Sequence, residues 1–95
     1  MNFKVNDMII VTKTFTCDGV TFHKNYVGII RKINYDNIYD LGVEWLNDNI
    51  KGHNLCGEIE NGKGWWIKSS KAKIEVIDNN IPLTELLNKY KGLNF

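Results

Sequence analysis

Most of the features that announce a function are scarce in this chain. It has one proline, Pro82, and two cysteines in 95 residues. Nowhere do about 20 apolar residues run together, so no membrane-spanning helix is expected. The first residues lack a positively charged stretch leading into an apolar one, so no signal peptide is expected either. Two cysteines without an export signal read as reduced thiols rather than a disulfide, which implies a cytoplasmic setting. An excess of one charge is also missing. The 12 basic and 11 acidic residues leave a net charge of +1, which gives no global attraction to nucleic acid or to a membrane surface. There is no phosphate-binding P-loop, no dinucleotide fingerprint, no internal repeat and no low-complexity linker.

What is present suffices for one small globular domain. Hydrophobic residues make up 43% and aromatics 12% of the chain, which excludes global disorder but allows only a modest core. The charge is unevenly spread. Residues 1–34 carry a net +3, residues 35–62 a net −5 and residues 63–95 a net +3. The middle third is therefore the acidic part.

Periodicity along the chain points to strands. Residues 8–13 are an apolar, β-branched run after the Asn6-Asp7 turn signal. Alternation puts Met8 and Ile10 on one face and Ile9 and Val11 on the other, so both faces can be covered. Residues 14–25 read as a long hairpin loop around Asp18-Gly19, with Phe15 and Phe22 placed to pack its tip down. Residues 26–34 form a second strand, in which Gly28 suggests a bulge or bend. Residues 35–39 are a short polar turn. Residues 40–46 form a third strand with Val43 and Trp45 on one face and Glu44 opposite. Residues 47–62 are a long acidic, glycine-rich loop, and loops of that length lean towards function. Residues 63–67 make a short fourth strand. A tight turn at Ser69-Ser70 precedes a fifth strand at 72–77, where Ile74 and Val76 are expected inside and Lys73 and Glu75 outside.

After residue 78 the period changes. Leu83, Leu86, Leu87 and Tyr90 recur at helical spacing. Pro82 near the start, Glu85 early, Lys89 and Lys91 late and Gly92 at the end all suit a helix. A helix of about ten residues is marginal alone, so it is expected to dock on the barrel or on a partner. The expected fold is thus mainly β: a small five-stranded SH3-like barrel over residues 1–78, followed by a C-terminal α-helix over residues 79–95. An OB-fold is the alternative, though it usually needs longer strands and more residues.

One stretch concentrates the unusual residues. Residues 51–67, KGHNLCGEIENGKGWWI, hold four of the eight glycines, one of the two histidines and two of the three tryptophans. Together with its flanks, residues 42–76 resemble a family of small SH3-like proteins of phages and bacterial mobile elements. That family shows a V-x-F strand, a G-H-[DN]-L/C-x-G loop, a G-x-G-W-W-V strand and a closing L/I-E-x-V/I strand. Val43 and Trp45 stand in the first, with Trp replacing Phe. Gly52, His53, Asn54, Leu55 and Gly57 match the loop. Gly62, Gly64, Trp65, Trp66 and Ile67 match the tryptophan motif, while Lys63 stands where the family often has an aromatic residue or histidine. Ile74, Glu75 and Val76 match the last strand. The resemblance implies an SH3-like fold for residues 3–78 and a phage or mobile-element origin. The helix lies outside the family pattern.

The candidate binding residues are Trp65, Trp66, Trp45, His53, Asp48, Glu58 and Glu60. Adjacent strand residues face opposite ways, so one of Trp65 and Trp66 enters the core and the other lies outside it or beneath the 47–62 loop. An exposed tryptophan is a typical hot spot for a protein partner. The acidic residues Asp36, Asp40, Glu44, Asp48, Glu58 and Glu60 read as a solvated face, or as a patch that meets a basic surface. Lys4, Lys13, Lys24, Arg31, Lys32, Lys63, Lys68, Lys71 and Lys73 make nucleic acid a candidate ligand if they gather on one side. Cys17, His23, His53 and Cys56 have the chemistry of zinc ligands, but their spacing is not that of a known finger. His53 and Cys56 have the makings of a base and a nucleophile, yet no orienting third group or oxyanion site accompanies them. No cofactor and no enzymatic activity are expected. The leading expectation is a cytoplasmic protein-interaction module, a stoichiometric inhibitor of a host defence complex in the manner of an anti-CRISPR. Nucleic-acid or nucleotide binding by the barrel is the alternative.

Overall fold

The computed structural model describes residues 3–34, 36, 38–47, 50, 52–59 and 62–77. Seven strands occur among them: β1 (Met8–Val11), β2 (Phe15–Cys17), β3 (Val20–Phe22), β4 (Val27–Ile33), β5 (Leu41–Trp45), β6 (Gly64–Ile67) and β7 (Ile74–Ile77). Five of these form one antiparallel sheet in the order β6-β5-β4-β1-β7, and β2 and β3 form a separate hairpin. No ladder joins the two edge strands β6 and β7 among the described residues, so the architecture is an open sheet with a hairpin. No helix occurs among the described residues. The helix expected at 79–95 lies outside them, and none of the described elements is long and apolar enough to cross a membrane as a helix.

The five sheet strands are those the apolar pattern predicts, each trimmed by a residue or two. The 14–25 segment is more ordered than a loop. Phe15 pairs with Phe22 and Cys17 with Val20, leaving Asp18 and Gly19 as the two-residue turn. Both have positive φ, 51° and 82°, the combination that matches the twist of paired strands. The two phenylalanine rings stack at 5.1 Å and turn the hairpin onto the core.

Alternation sorts the side chains into two layers. Ile9, Val11, Ile30, Val43, Trp45, Ile67 and Ile74 form the main core with the hairpin's Phe15, Cys17 and Phe22. Trp45 is wholly buried and lies 4.6 Å from Phe22. Burial of such a side chain stabilises the fold by about 2–3 kcal/mol. On the opposite face, Ile10, Val27 and Ile77 form a second buried cluster with Met8 and Leu46 beside it. The first strand is therefore covered on both faces, as its uninterrupted apolar run implies.

Two expectations need correction. Gly28 is not at a bulge. A Cβ there would come 2.5 Å from Val43 Cγ1 and 3.1 Å from Trp45 Cε3, so the glycine leaves room for the core of the neighbouring strand. The bulge lies instead between Ile30 and Lys32. Ile30 and Ile33 are three apart, and a regular strand would send them to opposite faces. The extra residue returns Ile33 to the core side and leaves Arg31 and Lys32 together on the other. Val76, expected inside, is 39% exposed. It shares the face of its partner Ile9, but β7 is an edge strand and that end of its inner face is not covered.

Candidate functional site

The described residues between 50 and 64 fold back on the edge of the sheet rather than running free. Asn47, fully buried, accepts a hydrogen bond from the Val27 N–H at 3.0 Å. Ile50 N–H bonds Asn47 O at 3.3 Å and carries the Ile50 side chain into the main core. Gly52 N–H then bonds Gly62 O at 2.9 Å, while His53 and Gly64 exchange bonds of 2.9 and 2.8 Å. This antiparallel bridge extends the sheet by one step beyond β6. It requires glycine on both sides. A Cβ on Gly52 would lie 2.0 Å from the Gly64 carbonyl oxygen, and one on Gly64 would lie 2.4 Å from Leu55 Cγ.

Beyond the bridge the chain makes a left-handed turn. Leu55, Cys56 and Gly57 have φ of 51°, 57° and 95°. The N–H groups of Gly57 and Ile59 both bond Asn54 O at 3.1 Å. Left-handed conformation costs a non-glycine residue roughly 1–2 kcal/mol. Burial offsets it here, because Leu55 has no exposed surface and Ile59 only 8%. The tip is thus an ordered structure, with Cys56 exposed at its apex.

His53 links this turn to the tryptophans. Its Nδ1 accepts the Leu55 N–H at 3.0 Å, so a neutral ring carries its hydrogen on Nε2. The imidazole centroid is 5.3 Å from Trp65 and 6.3 Å from Trp66. The two indoles take opposite faces. Trp65 pairs with Val43, packs against the main core and donates its Nε1–H to Cys17 O at 3.2 Å. Trp66 pairs with Gly42, where a Cβ would lie 2.4 Å from its Cζ3. Its ring therefore lies over the bare glycine backbone. Both indoles are partly buried; neither is sealed in the core and neither is fully open.

The remaining predicted site residues scatter. Trp45 is inside the core and its indole N–H has no hydrogen-bond partner among the described residues. It belongs to the core beside Phe22 and not to the aromatic surface. Glu58 reaches Lys32 at 3.3 Å, both side chains being about two-fifths exposed, and Arg31 meets Glu44 at 2.7 Å. Asp48 and Glu60 lie outside the described residues. Cys17 is buried and donates its Sγ–H to Trp66 O, whereas Cys56 is exposed. No group of three or more His, Cys, Asp or Glu side chains converges on a metal position among the described residues.

A second constellation has no signature in the sequence. The hairpin tip, Tyr39 and Asp40, and the 68–72 turn meet at one place. The Tyr39 hydroxyl bonds the Asp18 carboxylate, which together with burial and the charges of Asp18, Cys17 and Asp36 pushes its pKa up to about 12. Lys68 Nζ sits 5.2 Å from the centre of the Tyr39 ring. Asp40 accepts the Ser69 N–H at 2.8 Å and also bonds the Ser69 hydroxyl. Burial, then the Asp18 charge, pushes the Cys17 thiol up. Only residues far apart in the chain meet here, so spacing could not reveal the group. Asp36 adds a local signal of its own, since its carboxylate accepts the Ile38 and Tyr39 N–H groups at 2.7 and 2.5 Å, an Asx-type turn that displays Ile38 at 60% exposure.

Comparison with family models, with curated proteins and with solved structures finds no match to this chain.

Proposed function

We propose that this chain is a non-enzymatic protein-interaction module on an SH3-like barrel, which binds a protein partner through His53, Trp65 and Trp66 with Glu58 at the rim. The observation that carries the reading is the ordered aromatic group. The His53 ring lies 5.3 Å from Trp65 and 6.3 Å from Trp66, on a segment held by backbone hydrogen bonds and by two buried anchors, Leu55 and Ile59. A partly open, preorganised tryptophan pair is what a hot spot needs, because little side-chain entropy is lost on binding.

The barrel reading is supported by the strand order β6-β5-β4-β1-β7, by the hairpin inserted between β1 and β4, and by the tight turn before β7. A non-enzymatic role is supported by the engagement of His53 Nδ1 with the Leu55 N–H, which takes that nitrogen away from Cys56. The resemblance of residues 42–76 to phage and mobile-element proteins extends the proposal to a stoichiometric inhibitor of a host defence complex, anti-CRISPR-like in action.

The test is a paired capture from host lysate with wild-type and Trp66→Ala protein as bait, followed by sedimentation of the purified complex. The expected result is a one-to-one complex, weakened at least tenfold by Trp66→Ala or His53→Ala in a folded protein, as for interfacial hot spots. A complex indifferent to both substitutions, or no stable complex, refutes the proposal.

A further inference from the structure

The basic residues do not spread evenly over the fold. Arg31 and Lys32 are ion-paired with Glu44 and Glu58, and Lys68 is drawn over Tyr39. Four others meet at one end of the sheet. Thr12 N–H bonds Lys73 O at 2.8 Å, and the Thr12 hydroxyl bonds the same oxygen at 3.1 Å. Lys13 follows Thr12. On its other side, Asn25 N–H bonds Val11 O at 2.8 Å and Lys24 N–H bonds Thr14 Oγ1 at 3.1 Å. Lys71 lies on the 68–72 turn, whose Ala72 N–H bonds Lys68 O. Lys13, Lys24, Lys71 and Lys73 thus come from three neighbouring segments. All four are exposed and none forms an ion pair among the described residues. Glu75, two residues beyond Lys73, is the acidic residue of β7. In the chain these lysines are distributed through both basic thirds, and only the fold gathers them.

The same end holds an open pocket of about 230 Å³, lined by Phe3, Ser69, Ser70, Ala72 and Ile74. Phe3, Ala72 and Ile74 supply apolar lining and Ser69 and Ser70 polar lining, with the Ser69 hydroxyl bonded to Asp40. Lys71 and Lys73 flank it in sequence. A pocket with an aromatic ring in its lining, beside lysines that form no ion pair among the described residues, matches an unstacked base with its phosphates on either side, a geometry that duplexes do not offer.

We propose that this end of the molecule binds single-stranded nucleic acid, with the phosphates on Lys13, Lys24, Lys71 and Lys73 and one base in the Phe3 pocket. The site is separate from the aromatic group of His53, Trp65 and Trp66, and does not depend on the role proposed for that group. An acidic polypeptide satisfies the lysines alone. It has no use for the pocket, which favours nucleic acid.

The experiment is fluorescence anisotropy of a labelled oligothymidine with the full chain over a series of salt concentrations. Each phosphate neutralised on a single strand contributes about −0.7 to the slope of log K against log salt, so four lysines predict a slope near −3. Lys→Gln at two of the four positions halves the slope, whereas Trp66→Ala leaves it unchanged. An oligomer of equal charge with abasic sites binds roughly tenfold more weakly, as loss of one stacked base requires. Ser70→Glu has the same effect without touching the core, which covers the case in which Phe3→Ala fails to fold. Absence of binding, or a slope indifferent to the lysines, overturns the proposal. Equal affinity for a duplex or for the abasic strand overturns the pocket assignment and with it the single-strand claim. Competition by polyglutamate at equal charge concentration overturns the nucleic-acid assignment.

Discussion

Gly52→Ala should unfold the candidate site, and the reason is a single backbone contact. The added Cβ would lie 2.0 Å from Gly64 O and 2.9 Å from Gly64 C. These atoms belong to backbone and have no rotamer to change. The bridge must separate, with loss of the Gly52–Gly62 bond and both His53–Gly64 bonds. At about 1 kcal/mol net for each hydrogen bond, that is about 3 kcal/mol. Leu55, fully buried with its Cγ against Gly64, then loses its seat, at a further cost of about 1.5–3 kcal/mol. A change of about 4.5–6 kcal/mol matches the lower end of the stability usual for a domain of this size. Gly57 and Gly62 provide internal controls. Both have positive φ, but a Cβ at either meets nothing within 4 Å, so alanine there should cost only about 1–2 kcal/mol. Urea unfolding followed by tryptophan fluorescence measures all three. Gly64→Ala adds a distinction, because its Cβ collides first with the Leu55 side chain, at 2.4 Å. Combined with Leu55→Ala it should cost less than the sum of the single substitutions, whereas Gly52→Ala gains no such relief. If Gly52→Ala is no more destabilising than Gly57→Ala, the close approach of the two glycines is wrong and the bridge does not hold the site.

Two further outcomes follow from the meeting of hairpin tip and turn. Tyr39 should ionise late, with a pKa of about 12 against an ordinary 10. A folded-state pKa above the unfolded one means that the associated stability is complete below pH 10 and is lost as pH rises towards 12. Asp18→Ala should return the tyrosinate absorbance transition towards the ordinary value, and an unmoved transition would exclude the Asp18 hydrogen bond as its main cause. In a thiol-modification time course Cys56, exposed at the loop apex, should react rapidly, while Cys17, buried and with its thiol pKa raised by that burial, should react only as the protein opens. Equal rates for the two thiols in native buffer would contradict the placement of Cys17 beside Trp66 O.

Much of the fold was legible because alternation and turn chemistry are local. The apolar runs at 8–13 and 26–34, the Asp18-Gly19 turn and the opposite facing of Trp65 and Trp66 all follow from neighbours in the chain. The errors arose where a residue's role depends on another strand. Gly28 is glycine because Val43 and Trp45 crowd it from β5, which no pattern within 26–34 can express. Val76 alternates correctly but lies at an uncovered edge. Of the candidate site, the motif residues His53, Trp65 and Trp66 do come together. Trp45 leaves the group for the core, because its register opposite Gly28 puts the ring beside Phe22.

By itself, then, the amino-acid order determined the number and place of the sheet strands, the hairpin turn and the concentration of glycine and tryptophan near the last edge. Those properties rest on periods of two and on residues that favour positive φ, and both act over a few bonds. The tertiary structure alone decided which glycines are collision sites, which tryptophan lies over bare backbone, that Tyr39 meets Asp18 and Lys68, and that four scattered lysines share one end with the Phe3 pocket. Each of these is a contact between segments remote in sequence, and such contacts are set by strand order and register, which the local pattern does not contain.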